Sequence, residues 1–180
     1  MIICGKDIEL LEIVSGTVWD GQIQPAGADL SVESVHAFES AGEIDGDNSK
    51  RRLPECKKLE FSGGILRLEP GAYKIVFNET VSVPADAAGI ARSRSSLLRM
   101  GAFVASAVWD PGYKGRSEAL LVVQNPHGLA LHERAKVAQI VFMRLERASG
   151  HIYSGAYQGE NLGGKKKGET ADEKEILDSI

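Results

Sequence analysis

Leu66-Arg67-Leu68-Glu69-Pro70-Gly71-Ala72-Tyr73-Lys74-Ile75-Val76-Phe77 sets the fold class. Two short segments, Leu66-Arg67-Leu68 and Tyr73-Lys74-Ile75-Val76-Phe77, flank Glu69-Pro70-Gly71-Ala72. The second is built mainly of residues that suit a pleated, half-buried surface. Pro-Gly fits the central pair of a type II turn, because proline fixes φ at the first position and glycine accepts a positive φ at the second. The reading is strand, turn, strand.

The same pattern spreads outward. From Leu59 to about Leu145 the chain reads almost entirely as strand, with Ser82–Ala91 and Phe103–Trp109 as further short examples. Ala119–Gln124 and Lys136–Leu145 are expected to pair, separated by the turn Asn125-Pro126-His127-Gly128. Gly21–Val35 opens on Pro and Gly, then alternates in Leu30-Ser31-Val32-Glu33 as a half-buried strand does. Lys6–Glu12 sets Ile8, Leu10 and Leu11 beside acidic residues, which predicts a short N-terminal helix. His36–Lys58 is polar and rich in Gly, Asp and Ser, the composition of a surface loop or insertion. Many short strands, 20 glycines and one brief helix predict an all-β fold, a compact barrel or sandwich. The expected organisation is one domain over 1–162, with a charged, flexible tail over 163–180.

Composition narrows the function classes. A chain of 180 residues can bury a substantial core, and 43% hydrophobic with 26% charged residues is ordinary for a soluble domain. A net charge of −4 argues against a general nucleic-acid binder, which needs a basic face. Lys165-Lys166-Lys167 is followed at once by acidic residues and reads as solvated. Apolar runs such as Ala119–Val123 and Ile140–Met143 are too short to cross a bilayer, so no membrane contact is expected. Met1–Asp7 lacks the charged and apolar regions of a secretion signal, and Cys4 and Cys56 make no disulfide framework. The expected compartment is the cytoplasm.

Chemistry concentrates in 94–115. Arg94-Ser95-Ser96-Leu97 offers a guanidinium and two hydroxyls in a row, groups suited to phosphate oxygens. Trp109-Asp110-Pro111-Gly112-Tyr113-Lys114-Gly115 places a carboxylate before a Pro-Gly turn with an aromatic ring beyond. Each group has a plainer reading. Asp110 could bond its own backbone in a turn, Arg94 could make a salt bridge between subunits, Ser95 and Ser96 could cap a helix, and Tyr113 could be core.

Motif order separates these readings. Gln22-Ile23-Gln24-Pro25-Ala26-Gly27-Ala28-Asp29-Leu30 resembles the first motif of the dUTPase and dCTP deaminase superfamily. Arg94-Ser95-Ser96-Leu97-Leu98-Arg99-Met100-Gly101 resembles the second, and Val108-Trp109-Asp110-Pro111-Gly112-Tyr113-Lys114-Gly115 the third. Glu133-Arg134-Ala135-Lys136-Val137-Ala138-Gln139-Ile140-Val141-Phe142 is similar to the fourth, and Tyr153-Ser154-Gly155-Ala156-Tyr157-Gln158-Gly159, less closely, to the C-terminal one. The resemblance implies a dUTPase-like β-clip fold that assembles as a homotrimer, each active site drawing on several subunits. It also implies Mg²⁺ held mainly by substrate phosphates and waters, with no protein metal ligand. His36, His127, His132 and His151 show no metal-ligand spacing.

Two chemistries occur in the superfamily. Deaminases carry a glutamate ten residues after the third-motif aspartate and an arginine two residues before it; here those positions hold Leu120 and Val108. A small apolar residue before Trp109-Asp110 is what the diphosphatases carry. The resemblance therefore implies hydrolysis of dUTP to dUMP and pyrophosphate. Asp110 is expected to activate the water that attacks the α-phosphate, with Arg94, Ser95, Ser96 and Arg99 on the phosphates and Gln139 on the phosphates or base. Tyr113 would pack on the deoxyribose and exclude a 2′-hydroxyl, and Tyr157, from a neighbouring C-terminal arm, would close over the base. Uracil itself would be read by backbone groups of the 103–113 hairpin. Asp29 is read as orienting Arg94, and Trp109 as packing. Ala156 stands where the family has a basic residue, a gap that Lys165–Lys167 could fill.

Two alternatives remain open. The segment from Gly115 to Asn125 is two residues longer than usual, and Glu118 shares a strand face with Leu120, so dCTP deamination keeps a candidate carboxylate. A non-enzymatic nucleotide-sensing relative is the other, with loop 36–58 as a surface for an added partner.

Overall fold

Short, strand-forming segments in the sequence become thirteen strands in the computed structural model, which describes residues 1–163. Helix α1 spans Gly5–Leu10 and buries Ile8; Glu12, at φ +49°, turns the chain out of it. Strands β1 (Val14–Ser15), β2 (Ile23–Gln24) and β3 (Gly27–Phe38) follow. Past a loop over 39–55 come β4 (Cys56–Leu59), β5 (Ile65–Leu68), β6 (Gly71–Phe77), β7 (Thr80–Ser82) and β8 (Ala87–Ser93). A one-turn helix α2 (Ser95–Arg99) leads to β9 (Ala102–Ala105), β10 (Lys114–Gly115), β11 (Glu118–Val123), β12 (Leu129–His132) and β13 (Lys136–Arg144).

Eight strands share one sheet in the order β8-β13-β3-β6-β11-β9, with β2 and β4 also paired to β3. Its two ends come together. Ser93 Oγ on β8 accepts from the Val104 amide of β9 at 2.8 Å and donates to the Val104 carbonyl at 3.2 Å, so the sheet is nearly closed into a barrel. Strand β3 holds the barrel together by changing partner part-way. Ala28–Ser31 pair with β13, whereas Val32–Ala37 pair with β6 across a bulge between Val32 and Ser34. Leu30, Ile75, Phe77, Leu121, Ile140 and Phe142 fill the interior with 0–1% of their surface exposed.

Several local expectations change. The alternation in Leu30-Ser31-Val32-Glu33 gives way to burial on both faces, because Ser31 is satisfied inside the protein. Its amide and hydroxyl both donate to the buried Glu79 carboxylate, at 2.9 and 2.6 Å, and Gln22 Nε2 donates to the same carboxylate at 2.6 Å. Gly71 does not take the positive φ of a type II turn; it is already extended and pairs with Val123 as the first residue of β6. Strands β5 and β6 then part company, β5 joining β12 in a separate two-stranded sheet. Ala119–Gln124 and Lys136–Leu145 do not pair. The first lies between β6 and β9 and the second between β3 and β8, since periodicity fixes which face is buried but not which strand is the neighbour. The loop expected over 36–58 is shorter, because β3 runs to Phe38 and β4 begins at Cys56, the two pairing in register. Among the described residues no helix is long and apolar enough to cross a membrane. Lys165–Lys167 and most of the expected tail lie outside the described residues.

The Asp110-Pro111-Gly112-Tyr113 turn forms as its sequence demands, with the Tyr113 amide donating to the Asp110 carbonyl at 3.1 Å and Gly112 at φ +82°. A Cβ on Gly112 would stand 1.8 Å from Ile152 Cγ2, where the C-terminal segment crosses. Gly112→Ala should therefore cost about 2 kcal/mol or more, from the strained φ and the displaced segment together. Chemical denaturation checks it; an unchanged midpoint would mean that segment moves aside freely.

Candidate active site

A cavity of about 710 Å³ opens beside this turn, bounded by Val108–Asp110 and Tyr113 on one side and Glu118 and Leu120 on the other. The backbone carbonyl of Asp110, not its side chain, makes the turn. Its carboxylate takes part in no hydrogen bond or ion pair among the described residues and is exposed at the cavity. The plainer role for Asp110, a carboxylate spent on its own backbone, is thus not the one it plays.

Tyr113 is buried and held at its hydroxyl. Its hydroxyl donates to Glu160 Oε1 at 2.7 Å, so the Ser117 hydroxyl, 2.9 Å away, must donate to it; Trp109 Nε1 in turn donates to Ser117 Oγ at 2.6 Å. Burial pushes the Tyr113 phenol well above its ordinary range, and the ring meets Tyr153 edge-on at 5.7 Å. Ring and hydroxyl form a neutral wall that a substrate would have to accommodate. Sequence reading took Trp109 as packing and missed Ser117 and Glu160. Small and acidic residues at those positions carry no motif, and their roles follow only from how the chain returns.

That return is made by 152–162. Tyr153 donates its amide to the Pro111 carbonyl, Gly159 to Lys114, and the Arg116 amide to the Glu160 carbonyl. The Gln158 side chain adds bonds to the Gly112 carbonyl and Lys114 amide, at 3.0 Å each. The segment is laid against the hairpin of its own chain, and Tyr157 lines the cavity that holds its own chain's Asp110.

The phosphate-type groups gather elsewhere. Arg94 Nη1 lies 2.6 Å from Asp29 Oδ2, and Lys136 Nζ lies 3.6 Å from the same oxygen. Asp29 is 3% exposed at its side chain while Arg94 is 32% exposed, so a buried carboxylate anchors a guanidinium whose other edge faces out. The orienting role read for Asp29 matches this contact. Gln139 sits directly across from Asp29 in the β3–β13 register and hence on the same sheet face. Ser95, Ser96 and Arg99 are exposed on α2, and the helix N-cap position is Arg94, with no side-chain capping bond. Neither serine is a cap. None of Arg94, Ser95, Ser96, Arg99 or Gln139 lines the Asp110 cavity. Within one chain the Asp110 cavity and the Arg94 cluster are separate places.

Glu118 does face the Asp110 cavity. Strand β11 alternates regularly, so Glu118 and Leu120 share the cavity side, and the Glu118 carboxylate is held by Lys74 Nζ at 3.2 Å. His36, which accepts or donates at Ser34 Oγ 3.0 Å away, lies near this pair; burial and the Lys74 charge lower its pKa. His127, His132 and His151 are exposed. No group of three or more His, Cys, Asp or Glu side chains fit to hold a metal occurs among the described residues.

A family model described as dCTP deaminase-like matches residues 6–145. The chain belongs to the dCTP deaminase-like family. Within it, the chain is 46% identical over 162 residues to a probable deoxyuridine 5'-triphosphate nucleotidohydrolase of Aeropyrum pernix, spanning 90% of this chain and 100% of that one. It is 48% identical over 141 residues to a probable deoxyuridine 5'-triphosphate nucleotidohydrolase of Methanosarcina mazei, covering 78% of this chain and 82% of the relative. A deoxyuridine 5'-triphosphate nucleotidohydrolase of Methanocaldococcus jannaschii is 41% identical over 140 residues, with 77% and 88% covered. The fold resembles that of the 2'-deoxycytidine 5'-triphosphate deaminase of Agrobacterium tumefaciens, with a TM-score of 0.62 at 21% identity. That match takes in 78% of this chain and 47% of the deaminase, so the chain spans about half its length.

Proposed function

We propose that this chain hydrolyses dUTP to dUMP and pyrophosphate, a water attacking the α-phosphate with Asp110 as its base. The observation that carries the reading is the uncommitted Asp110 carboxylate at a cavity walled by the pinned Tyr113 ring. A carboxylate without a structural bond is available to accept a proton, and a buried, bonded one is not. The relatives' names support uracil as the base. Arg94, Ser95, Ser96 and Arg99 would hold phosphate oxygens and offset the charge that builds there, with Gln139 beside them. Because those groups lie off the Asp110 cavity, they act from a second copy of the chain, and a cyclic homotrimer is the assembly in which each copy gives one half-site and takes another. Leu98 and Met100 on and after α2 and Val108 beside Asp110 are more than half exposed, apolar side chains that such contacts would cover.

The donor set fits a Mg²⁺ carried on the triphosphate: carboxylates are dispersed, and the buried Asp29 is already engaged by Arg94 and Lys136. The ion would neutralise phosphate charge when bound. Tyr113, tied at its hydroxyl, would meet the deoxyribose with a surface that cannot withdraw from a 2′-hydroxyl.

A nucleotide screen with Mg²⁺, reading pyrophosphate and ammonia separately, tests this. Pyrophosphate is expected from dUTP and not from UTP; equal rates would remove Tyr113 from its role against the sugar. Glu118 on the cavity wall favours one second reading, deamination of dCTP. With Leu120 and Val108 at the positions deaminases use, no ammonia is expected. Ammonia that disappears in Glu118→Gln would establish the second reading instead.

A further inference from the structure

The loop over 39–55 is the largest element that the proposed chemistry leaves without a role. It is ordered by its own contacts. Glu43 and Arg52 form a two-residue bridge and an ion pair at 2.7 Å, Ser40 Oγ accepts from the Glu55 amide at 2.8 Å, and Asp45 accepts from Ser49 and Lys50. So held, the loop borders the Asp110 cavity: Leu53 and Pro54, with Phe38 and Cys56 at its two ends, line it together with Val108 and Leu120. Its contact with the C-terminal segment is equally direct: the Arg51 guanidinium carbon lies 5.7 Å from the centre of the Tyr157 ring.

Charge gives that contact a purpose. Asp110, Glu118 and Glu160 line the cavity with negative charge. Among the described residues that line it, Lys74 is the one cationic side chain, and Glu118 occupies it. A triphosphate entering here needs positive charge from the rim. Arg52 is spent on Glu43, whereas Arg51 makes no ion pair among the described residues; it stands outside the lining itself and reaches the cavity's edge over the Tyr157 ring, which does line it. A cation–π contact holds the guanidinium near the ring without using its N–H donors, which can then bind phosphate oxygens bidentately.

We propose that loop 39–55 is a wall of the nucleotide pocket and that Arg51, held on Tyr157, binds the triphosphate tail of the substrate. The proposal rests on the reading of this cavity as the nucleotide site. It gives the cavity's own chain a phosphate contact beyond those offered by the second copy. Tyr157 then serves as the platform for Arg51 as well as a cover for the base.

The test is calorimetric binding of dUMP and of a non-hydrolysable α,β-imido analogue of dUTP, with Mg²⁺, to the full chain and to Arg51→Ala and Arg51→Lys. Arg51→Ala should weaken the triphosphate analogue about tenfold or more, the worth of one charge-assisted contact, and leave dUMP within about twofold. Arg51→Lys should fall between, keeping the charge without the fork. Thermal melting of each variant monitors the fold, and Tyr157→Ala should weaken the triphosphate analogue through the lost platform and dUMP through the lost cover on the base. Equal weakening of both ligands by Arg51→Ala, or of neither, overturns the proposal and leaves dUTP hydrolysis standing. A wild-type chain that binds neither ligand overturns the nucleotide site, and this proposal with it.

Discussion

Asp110→Asn should bind dUTP nearly as the wild type does and turn it over ~10²-fold or more slowly, the usual contribution of a positioned base. Asparagine preserves the size of the side chain, and the turn is made by the backbone carbonyl of residue 110, which the substitution leaves in place. Folding should therefore be unaffected, and the melting temperature should stay within a degree or two of wild type, as for a surface change without structural bonds. Asparagine cannot take the proton of the attacking water. The loss belongs in kcat, with KM little changed, because the group removed acts on the reacting water and not on the ground-state nucleotide. Steady-state kinetics on dUTP with direct binding of an imido analogue separates the two. Turnover near wild type would return Asp110 to the turn and leave the cavity without a base.

How far the sequence foretold this site depends on how local each signal is. Asp110-Pro111-Gly112-Tyr113 was legible because a Pro-Gly turn is decided by the φ preferences of two adjacent residues. Asp29 beside Arg94 was legible only through motif order, the two being 65 residues apart along the chain. The barrel itself was readable as a class, since short strands and frequent glycine leave few other architectures. Its pairings were not. Ala119–Gln124 and Lys136–Leu145 look like neighbours in sequence, yet each is inserted between strands drawn from elsewhere in the chain. Ser31 looked like the solvent side of an alternating strand because nothing nearby announces Glu79, its buried partner 48 residues away. The Trp109–Ser117–Tyr113–Glu160 chain was illegible for the same reason, and so was the contact of loop 39–55 with Tyr157. Each joins segments whose meeting is fixed by the closed fold rather than by either segment.

The separation of the Arg94 cluster from the Asp110 cavity within one chain leads to the other large expected effect. Arg94→Gln keeps a donor for Asp29 and removes the guanidinium, so the fold should persist while turnover falls ~10²-fold or more, the scale of a lost group that stabilises developing charge. Arg94→Gln and Asp110→Asn are then each inactive, but they are defective in different halves. In the proposed cyclic trimer each site would join the Asp110 cavity of one copy to the Arg94 cluster of the next. Co-refolding equal amounts of the two variants gives mixed trimers, and every mixed trimer contains one junction at which both halves are intact. Random assembly should therefore restore about a quarter of the wild-type sites, from two preparations with almost no activity. The assay needs only pyrophosphate release from dUTP before and after mixing, with light scattering to establish the trimer. If both halves of the site came from the same chain, mixing would restore nothing, whatever the assembly. An active monomer would refute the shared site outright, because Arg94 and Gln139 do not line the cavity that Asp110 faces.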